Sequence, residues 1–194
     1  MDKPVNTQIK KRLIVGMSGA SGAILGIGLL RLMKEQKDWE THLVMTAGAG
    51  ITIEKETDYT VRQVQALADI VHDIDNIGDS IASGSFQTEG MIIIPCSMKT
   101  VAGIACGYAD NLLLRAADVT LKERRKLVIA ARENPLSPIH LRNMLTLSEA
   151  GAYIMPPVIT WYNKPQSLED MNLQILGKML DRFGIEPEGY RRWE

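Results

Sequence analysis

The chain has 194 residues, of which 45% are hydrophobic and 23% charged, and its formal net charge is -1 at pH 7. That length suits one domain with a substantial core, and these proportions are ordinary for a globular protein. The balanced charge and the 5% of aromatic residues exclude the overall basic field and the stacking platform that are typical of nucleic-acid-binding proteins.

The N-terminal segment is polar, and we expect residues 1–10 to form a disordered tail before a single domain at residues 11–194. The uncharged run at 13–30 follows three basic residues, as in a signal peptide. However, glycine and serine interrupt it between positions 16 and 22, where a signal peptide or a membrane span needs a continuous apolar helix. We therefore expect no membrane segment and a cytoplasmic location.

Short apolar runs of strand length alternate with helix-like stretches along the chain. The predicted strands cover residues 13–15, 42–45, 91–94, 127–130 and 153–155. The predicted helices cover residues 23–34, 61–68, 111–124, 139–149 and 168–183, and Gly184 terminates the last of them. This alternation predicts an α/β fold, with a doubly wound parallel sheet between two layers of helices.

The turn after the first strand, residues 16–22, reads GMSGASG. Glycine lets a backbone turn sharply and approach a ligand, and the N-terminal amides of the following helix attract an anion. The spacing is GxxGxxG rather than GxGxxG, and the first acidic residue after the second strand is Glu54, so a nicotinamide site is not indicated. The pattern favours a phosphate cradle, and the alternative is a tight turn without a ligand.

Two later strands also end in polar groups. Ser97 and Thr100 bring hydroxyls to a helix start after the strand at 91–94, where a phosphate or the polar edge of a flavin can be held. The alternative for Ser97 is a simple N-cap. Arg132 follows the strand at 127–130, and its planar guanidinium suits a flavin or a phosphate; the alternative is a surface ion pair.

The helix at 111–124 has the most informative spacing. Arg115, Asp118 and Lys122 lie at i, i+3 and i+7 and therefore share one face. Two cations on a rigid helix can clamp a phosphate, or Asp118 can neutralise them on a solvated face. The stiff, aromatic-tipped loop at 156–162 can close over an apolar group or pack at a subunit contact.

The cysteines and histidines do not indicate a metal site or a disulfide framework. Cys96 and Cys106 are too few for a framework and have no CxxC spacing, so we expect reduced thiols. His42, His72 and His140 form no HExxH-like pattern, and we predict no metal.

Six short strings occur in the order found in one known family. They are residues 18–22 (SGASG), 83–85 (SGS), 95–100 (PCSMKT), 115–123 (RAADVTLKE), 132–133 (RE) and 139–145 (IHLRNML). Their ordered occurrence resembles the UbiX-type flavin prenyltransferase family, including the branch of that family that is paired with hydroxyarylic acid decarboxylases. The resemblance covers residues 12–193.

The resemblance implies a single flavodoxin-like, Rossmann-like domain that assembles into a homododecamer with FMN at a subunit interface. The reaction it implies joins the dimethylallyl group of dimethylallyl phosphate to N5 and C6 of reduced FMN, which is a substrate. The prenylated FMN then passes to a separate UbiD-type decarboxylase.

The resemblance also assigns residues to roles. The implied FMN-binding residues are Gly19, Ala20, Ser21, Thr46, Ser97, Met98, Lys99, Thr100 and Arg132. The implied ligands of dimethylallyl phosphate are Ser83, Arg115, Lys122, Tyr162 and Lys178, of which Lys178 replaces the arginine usual in the family. The implied catalytic residues are Glu56 and Ser21, which would move protons, and Glu133, which would position a reacting group or relay a proton.

Two other functions fit the same fold. One is an FMN-dependent decarboxylase acting on a cysteine-derived substrate, which typically carries an early catalytic histidine and a Pro-Ala-Met-Asn string. Here the corresponding string is PCSM at 95–98, and His42 lies inside a predicted strand. The other is a non-catalytic flavin carrier for a decarboxylase partner, which would not need Glu56, Arg115 and Lys122.

Overall fold

The computed structural model of the chain describes residues 10–193. Residues 1–9 of the expected N-terminal tail lie outside this part. The strands are β1 (Lys11–Met17), β2 (Trp39–Met45), β3 (Ile70–His72), β4 (Gly90–Cys96), β5 (Lys126–Ala131) and β6 (Tyr153–Ile154). All pairings are parallel, and the order in the sheet is β3-β2-β1-β4-β5-β6.

Helices connect the strands and cover both faces of the sheet. They are α1 (Ala23–Lys34), α2 (Ala47–Glu56), α3 (Val61–Gln65), α4 (Met98–Ala105), α5 (Leu112–Lys122), α6 (Pro138–Glu149) and α7 (Leu168–Leu180). Short 3-10 helices lie at Ser80–Ala82 and Asp181–Phe183, and Gly184 follows the second with a left-handed φ of 73°. The predicted three-layer, doubly wound parallel sheet is confirmed.

The sheet separates two hydrophobic cores. Side chains of α1, α2 and α7 pack on one face, and side chains of α4, α5 and α6 pack on the other. Strand β4 shows why its sequence is an unbroken apolar run: Ile92 and Ile94 enter the first core, whereas Met91 and Ile93 enter the second. A parallel strand covered on both faces has no polar side.

Close packing of α1 on the sheet depends on Gly26. A Cβ at this position would lie 2.5 Å from the Met17 side chain and 2.7 Å from the carbonyl oxygen of Ile94. Because α1 lies this near the sheet, its N-terminus is held directly above the carboxyl end of β1. In the described part of the chain, no helix combines the length and the apolar character needed to cross a bilayer.

Candidate active site

The carboxyl ends of β1 and β4 form the topological switch point of the sheet. The chain leaves β1 toward β2 and leaves β4 toward β5, so the two following loops diverge and leave a crevice between them. A cleft of about 340 Å³ lies there. It is lined by Ser18, Gly19, Thr46, Ala47, Gly48, Ser97, Lys99, Thr100, Asn111, Leu113 and Leu114.

Three helices begin at this cleft. Thr46, Ser97 and Asn111 are the N-caps of α2, α4 and α5, and each accepts a hydrogen bond from a backbone N–H of its own first turn. Helix N-termini carry partial positive charge, and Lys99 adds a full charge in the first turn of α4. The cleft is therefore suited to an anion such as a phosphate, with hydroxyl groups beside it.

The loops after β1 and β2 touch each other through glycine. A Cβ at Gly19 would lie 3.0 Å from the Cα atom of Gly48, and a Cβ at Gly48 would lie 3.2 Å from the Cα atom of Gly19. Gly19 and Gly48 both line the cleft, so its wall is formed by backbone rather than by side chains at these two positions. The close approach seen here is between the two loops, and the approach of the glycine-rich turn to a ligand stays a prediction.

Ser18 ties the first loop to the second. Its hydroxyl donates to the carbonyl oxygen of Pro95 at 3.2 Å and accepts from the N–H of Ser97 at 2.8 Å. Ser18 is almost completely buried, with 1% of its surface exposed. It therefore fixes the position of the α4 N-cap relative to the glycine-rich turn.

Glu56 replaces the missing N-cap of α1. The N-cap position holds Gly22, which has no capping side chain, and the Glu56 carboxylate accepts from the N–H groups of Gly22 at 2.8 Å and Ala23 at 3.0 Å. Burial acts to raise the pKa of Glu56, and these two hydrogen bonds act to lower it. The Ser21 hydroxyl and the charge of Arg132 act in the same direction, so the pKa of Glu56 lies below its ordinary value.

A second group of polar residues, which we call the α5 cluster, consists of Ser83, Arg115 and Lys122 with their neighbours. Arg115 donates from Nε to the carbonyl oxygen of Ala82 at 3.2 Å and pairs through NH1 with Asp118 at 2.6 Å. Lys122 pairs with Glu123 rather than with Asp118. A Cβ at Gly84, next to Ser83, would lie 2.8 Å from Lys122 Nζ, so the structure brings Ser83, Arg115 and Lys122 close together.

Tyr162 and Lys178 lie elsewhere, in what we call the α7 cavity. This cavity has a volume of about 260 Å³ and is lined by Met155, Pro156, Val158, Thr160, Tyr162, Gln174, Ile175, Lys178 and Met179. Gln174 donates to the hydroxyl of Tyr162 at 2.8 Å and so fixes the ring. Helices α5 and α7 cover opposite faces of the sheet. Within a single chain, the α5 cluster and the α7 cavity therefore do not form one site.

Three predicted residues have particular placements. Met98 packs its side chain into the core, so only its backbone at the start of α4 is available to a ligand. Arg132 and Glu133 are exposed beyond the carboxyl end of β5. Glu133 accepts the N–H of Asn134 at 3.0 Å and therefore folds back on its own loop.

Sequence reasoning missed Ser18, Gly48 and Asn111 as residues of the cleft. Asn111 carried a usable signal, because an asparagine directly before an apolar helical pattern is a preferred N-cap. Ser18 had none, since its importance depends on Pro95 and Ser97, which are 77 and 79 residues away. Within residues 10–193, no group of three or more His, Cys, Asp or Glu side chains is placed to hold a metal ion.

Known proteins resemble the chain over nearly its whole length. The model of the family described as Flavoprotein matches residues 2–179. Flavin prenyltransferase UbiX of Escherichia coli K12 is 55% identical over 186 residues, which are 95% of this chain and 98% of that protein.

Two solved structures have the same fold. One is AnUbiX (PadA1) in complex with FMN and dimethylallyl pyrophosphate, with a TM-score of 0.93, 51% identity, and coverage of 95% of this chain and 98% of that one. The other is a dodecameric FMN-dependent UbiX-like decarboxylase from Escherichia coli O157:H7, with a TM-score of 0.92, 54% identity, and coverage of 94% and 99%.

Proposed function

The chain belongs to the UbiX family of flavin prenyltransferases, and on that premise we propose that it joins a dimethylallyl group from dimethylallyl phosphate to N5 and C6 of reduced FMN. The single observation that carries this proposal is the cleft where the N-termini of α2, α4 and α5 converge, since the glycine-rich turn that lines it at Gly19 holds the ionised Glu56 at Gly22. It combines an anion site with a proton acceptor.

We assign the cleft to FMN. Its phosphate suits the convergent N-termini and hydroxyls, and Gly19 and Gly48 bring backbone rather than side chains to the cleft wall, where a flavin can approach closely. The FMN-binding residues we propose are Gly19, Ala20, Ser21, Thr46, Ser97, the Met98 backbone, Lys99, Thr100 and Arg132. Arg132 is close enough to Glu56 to lower its pKa, so both would meet the same part of the ligand.

The cationic residues would act on the leaving phosphate. Reduced FMN supplies two nucleophilic positions, N5 and C6. The C–O bond of the prenyl phosphate would break as its carbon bonds to N5, which loses its proton. The second bond would form when the remaining C=C bond accepts a proton and the resulting tertiary cation is attacked by C6, which then loses its own proton. Arg115, Lys122 and Lys178 would stabilise the phosphate as it gains charge, with Ser83 and Tyr162 as hydrogen-bond donors. Lys178 offers a single ammonium charge, whereas an arginine would donate hydrogen bonds to two phosphate oxygens at once.

Glu56 would act mainly as a base and as a positioning group. Because its pKa is lowered, the carboxylate is ionised near neutral pH and can accept the proton released at the flavin. Its hydrogen bond with the Ser21 hydroxyl would let Ser21 take part in the same proton transfer. Glu133, which lies beyond the carboxyl end of β5, would relay a proton or position a reacting group.

We propose that assembly completes the prenyl phosphate site. The α5 cluster and the α7 cavity lie on opposite faces of one chain, so cations from different subunits must meet to hold one phosphate. Large apolar side chains that a partner can cover are exposed on α6 and on the loop after β6. They include Ile139 at 65%, Leu145 at 59%, Val158 at 68% and Trp161 at 70%. A homododecamer is the assembly we propose.

The two alternatives make different predictions. For a cysteine-type decarboxylase, the early histidine would have to face the flavin, but His42 is 1% exposed and is hydrogen-bonded on both ring nitrogens. A carrier would not require the ionised Glu56. Delivery of the product to a UbiD-type decarboxylase remains a prediction of the family resemblance. A cytoplasmic location remains a prediction from the interrupted apolar run at 13–30.

Anaerobic incubation with reduced FMN and dimethylallyl phosphate tests the proposal. We expect the flavin mass to increase by one dimethylallyl unit, with release of inorganic phosphate and a changed absorbance spectrum. The diphosphate is tested in parallel, since the AnUbiX complex contains dimethylallyl pyrophosphate. An unchanged flavin mass with both compounds would remove the proposed activity. Release of carbon dioxide from a peptide with a C-terminal cysteine would favour the decarboxylase instead.

A further inference from the structure

Four side chains form a continuous hydrogen-bonded row behind the α5 cluster. Glu40 Oε1 lies 2.9 Å from His42 Nε2, His42 Nδ1 lies 2.9 Å from His72 Nε2, and His72 Nδ1 lies 2.8 Å from Asp79 Oδ1. Both histidines are buried, with 1% and 7% of their surface exposed. The proposed prenyl transfer uses neither of them.

The row contains more contacts than two neutral histidines can satisfy. A neutral imidazole has one N–H, so two neutral rings bring two protons to three contacts. If each ring donated to its carboxylate, the lone pairs of His42 Nδ1 and His72 Nε2 would face each other at 2.9 Å. A third proton between the rings makes every contact a hydrogen bond.

An anion faces each end of the pair. Glu40 lies 2.9 Å from His42 Nε2, and Asp79 lies 2.8 Å from His72 Nδ1. Burial lowers the pKa of His42, and the hydrogen bond with Glu40 opposes it only in part. On the Glu40 side, Arg12 from β1 pairs with the carboxylate at 3.1 Å and so offsets its charge.

The carboxylates are available as acceptors at neutral pH. Burial acts to raise the pKa of Glu40 and of Asp79, but hydrogen bonds from His42 and His72, respectively, outweigh it and lower both values. From α5, Arg115 contacts the loop at Ala82 and pairs with Asp118. Arg125, just after α5, donates to the carbonyl oxygen of Phe86, whose ring packs on His42.

The row ends at the loop that carries Ser83. Asp79 is the N-cap of the 3-10 helix at Ser80–Ala82 and accepts from the Ser80 hydroxyl at 2.9 Å. The carbonyl oxygen of Ala82, at the end of that helix, accepts from Arg115 Nε at 3.2 Å. Ser83 follows directly, and its hydroxyl is 2.9 Å from that of Ser85.

We propose that His42 and His72 hold one extra proton between them, and that this charged pair is a positioning device for the prenyl phosphate site. The protonated pair holds Asp79 through His72 Nδ1, Asp79 caps the 3-10 helix, and the carbonyl oxygen of Ala82 at the end of that helix orients Arg115 beside Ser83. The inference rests on the proposed function for its ligand, but the shared proton itself does not depend on it.

Histidine-labelled protein tests the proton count directly. The chain has three histidines, so ¹⁵N spectra of the full oligomer can be assigned with His42→Asn and His72→Asn variants. We expect three N–H protons on the four ring nitrogens of the pair near neutral pH, and loss of one as the pH rises. Two N–H protons throughout the neutral range would overturn the shared proton.

Kinetics of His72→Asn test the positioning role, with His140→Asn as the matched control. His140 lies on α6, where it completes a capping box with Ser137. We expect the KM for dimethylallyl phosphate to rise about tenfold in His72→Asn, as for a lost charge-assisted contact, with FMN affinity unchanged. In the wild type this KM should also rise with pH as the shared proton is lost, and His72→Asn should lack that step.

Asp79→Asn provides a second variant if His72→Asn does not fold. Asparagine is also a good N-cap, so the 3-10 helix keeps its cap while His72 loses its anionic partner. We expect the shared proton to be lost at lower pH and the KM for dimethylallyl phosphate to rise. If the wild type prenylates FMN but neither variant changes this KM relative to His140→Asn, the positioning role is wrong. If the wild type does not prenylate FMN, the proposed function fails, and the proton count still decides the first half of the inference.

Discussion

Glu56 shows how one residue links the fold to the proposed chemistry. The N-cap residue of helix α1 is Gly22, which allows the sharp turn but provides no side-chain cap. The carboxylate that replaces the cap comes from the last residue of α2, and the same contacts keep it ionised. A helix N-terminus therefore sets both the position and the charge of the proposed base.

The first prediction concerns the charge of this residue. Glu56→Gln should lower the rate of prenyl transfer by about 10²- to 10⁴-fold, the usual contribution of a general acid or base. The amide oxygen can still accept from Gly22 and Ala23, so FMN binding and the fold should be largely retained. Glu54→Gln, at an exposed position of the same helix, is the control and should keep full activity. Full turnover by Glu56→Gln would reject the assigned role.

The second prediction concerns stability in acid. Because the folded-state pKa of Glu56 is lowered, its carboxylate stabilises the fold fully above its unfolded value of about 4.3. This contribution is lost as the pH falls through the folded pKa. The difference in melting temperature between wild type and Glu56→Gln should therefore shrink from about pH 6 to about pH 3. A difference that stays constant over this range would show that the carboxylate is not specifically stabilised.

At the scale of elements, the cleft depends on the contact between the loops after β1 and β2. The third prediction is that Gly19→Ala weakens FMN binding about tenfold, since the new Cβ would press on the backbone of Gly48 and part the loops. The matched control is Gly78→Ala, where the nearest atom to a new Cβ is 3.7 Å away. Flavin fluorescence titration measures both. Equal FMN affinities of Gly19→Ala and Gly78→Ala would mean that FMN binding does not depend on the contact between the loops after β1 and β2.

Much of the fold follows from local patterns, and the exceptions have physical reasons. The strands at 13–15 and 91–94 were predictable because they are apolar runs bounded by turns. Helix α2 was not predicted, since AGAG at its start favours a loop by propensity, and the Thr46 cap and packing against α1 override this preference. Strand β3 has only three residues and no alternation that a sequence pattern can detect.

The site was predictable in part. The glycine-rich turn, Ser97 and Thr100 could be placed at one cleft because the carboxyl ends of parallel strands share an edge. The separation of Arg115 from Lys178 could not be predicted, because it depends on which face of the sheet each helix covers. The cap that Glu56 provides was also hidden, since it joins residues 33 and 34 positions apart.

At the scale of the whole molecule, the fourth prediction follows from that separation. Oligomers that contain only Arg115→Ala chains, or only Lys178→Ala chains, should lose most of their prenyl transfer activity. Oligomers refolded from a mixture should regain activity, because some sites then receive an intact Arg115 from one chain and an intact Lys178 from another. With equal amounts and random assembly, about a quarter of the sites should be complete. No recovery in mixed oligomers of the correct mass would place both residues of a site in one chain.

The most direct measurement is the structure of the assembled protein with FMN and dimethylallyl phosphate bound. The phosphate should lie beside the FMN ring, with Arg115 and Lys122 of one subunit and Tyr162 and Lys178 of another in contact with it. A complex in which Arg115 and Lys122 face away from the flavin, with no anion site next to the ring, would contradict the proposed transfer.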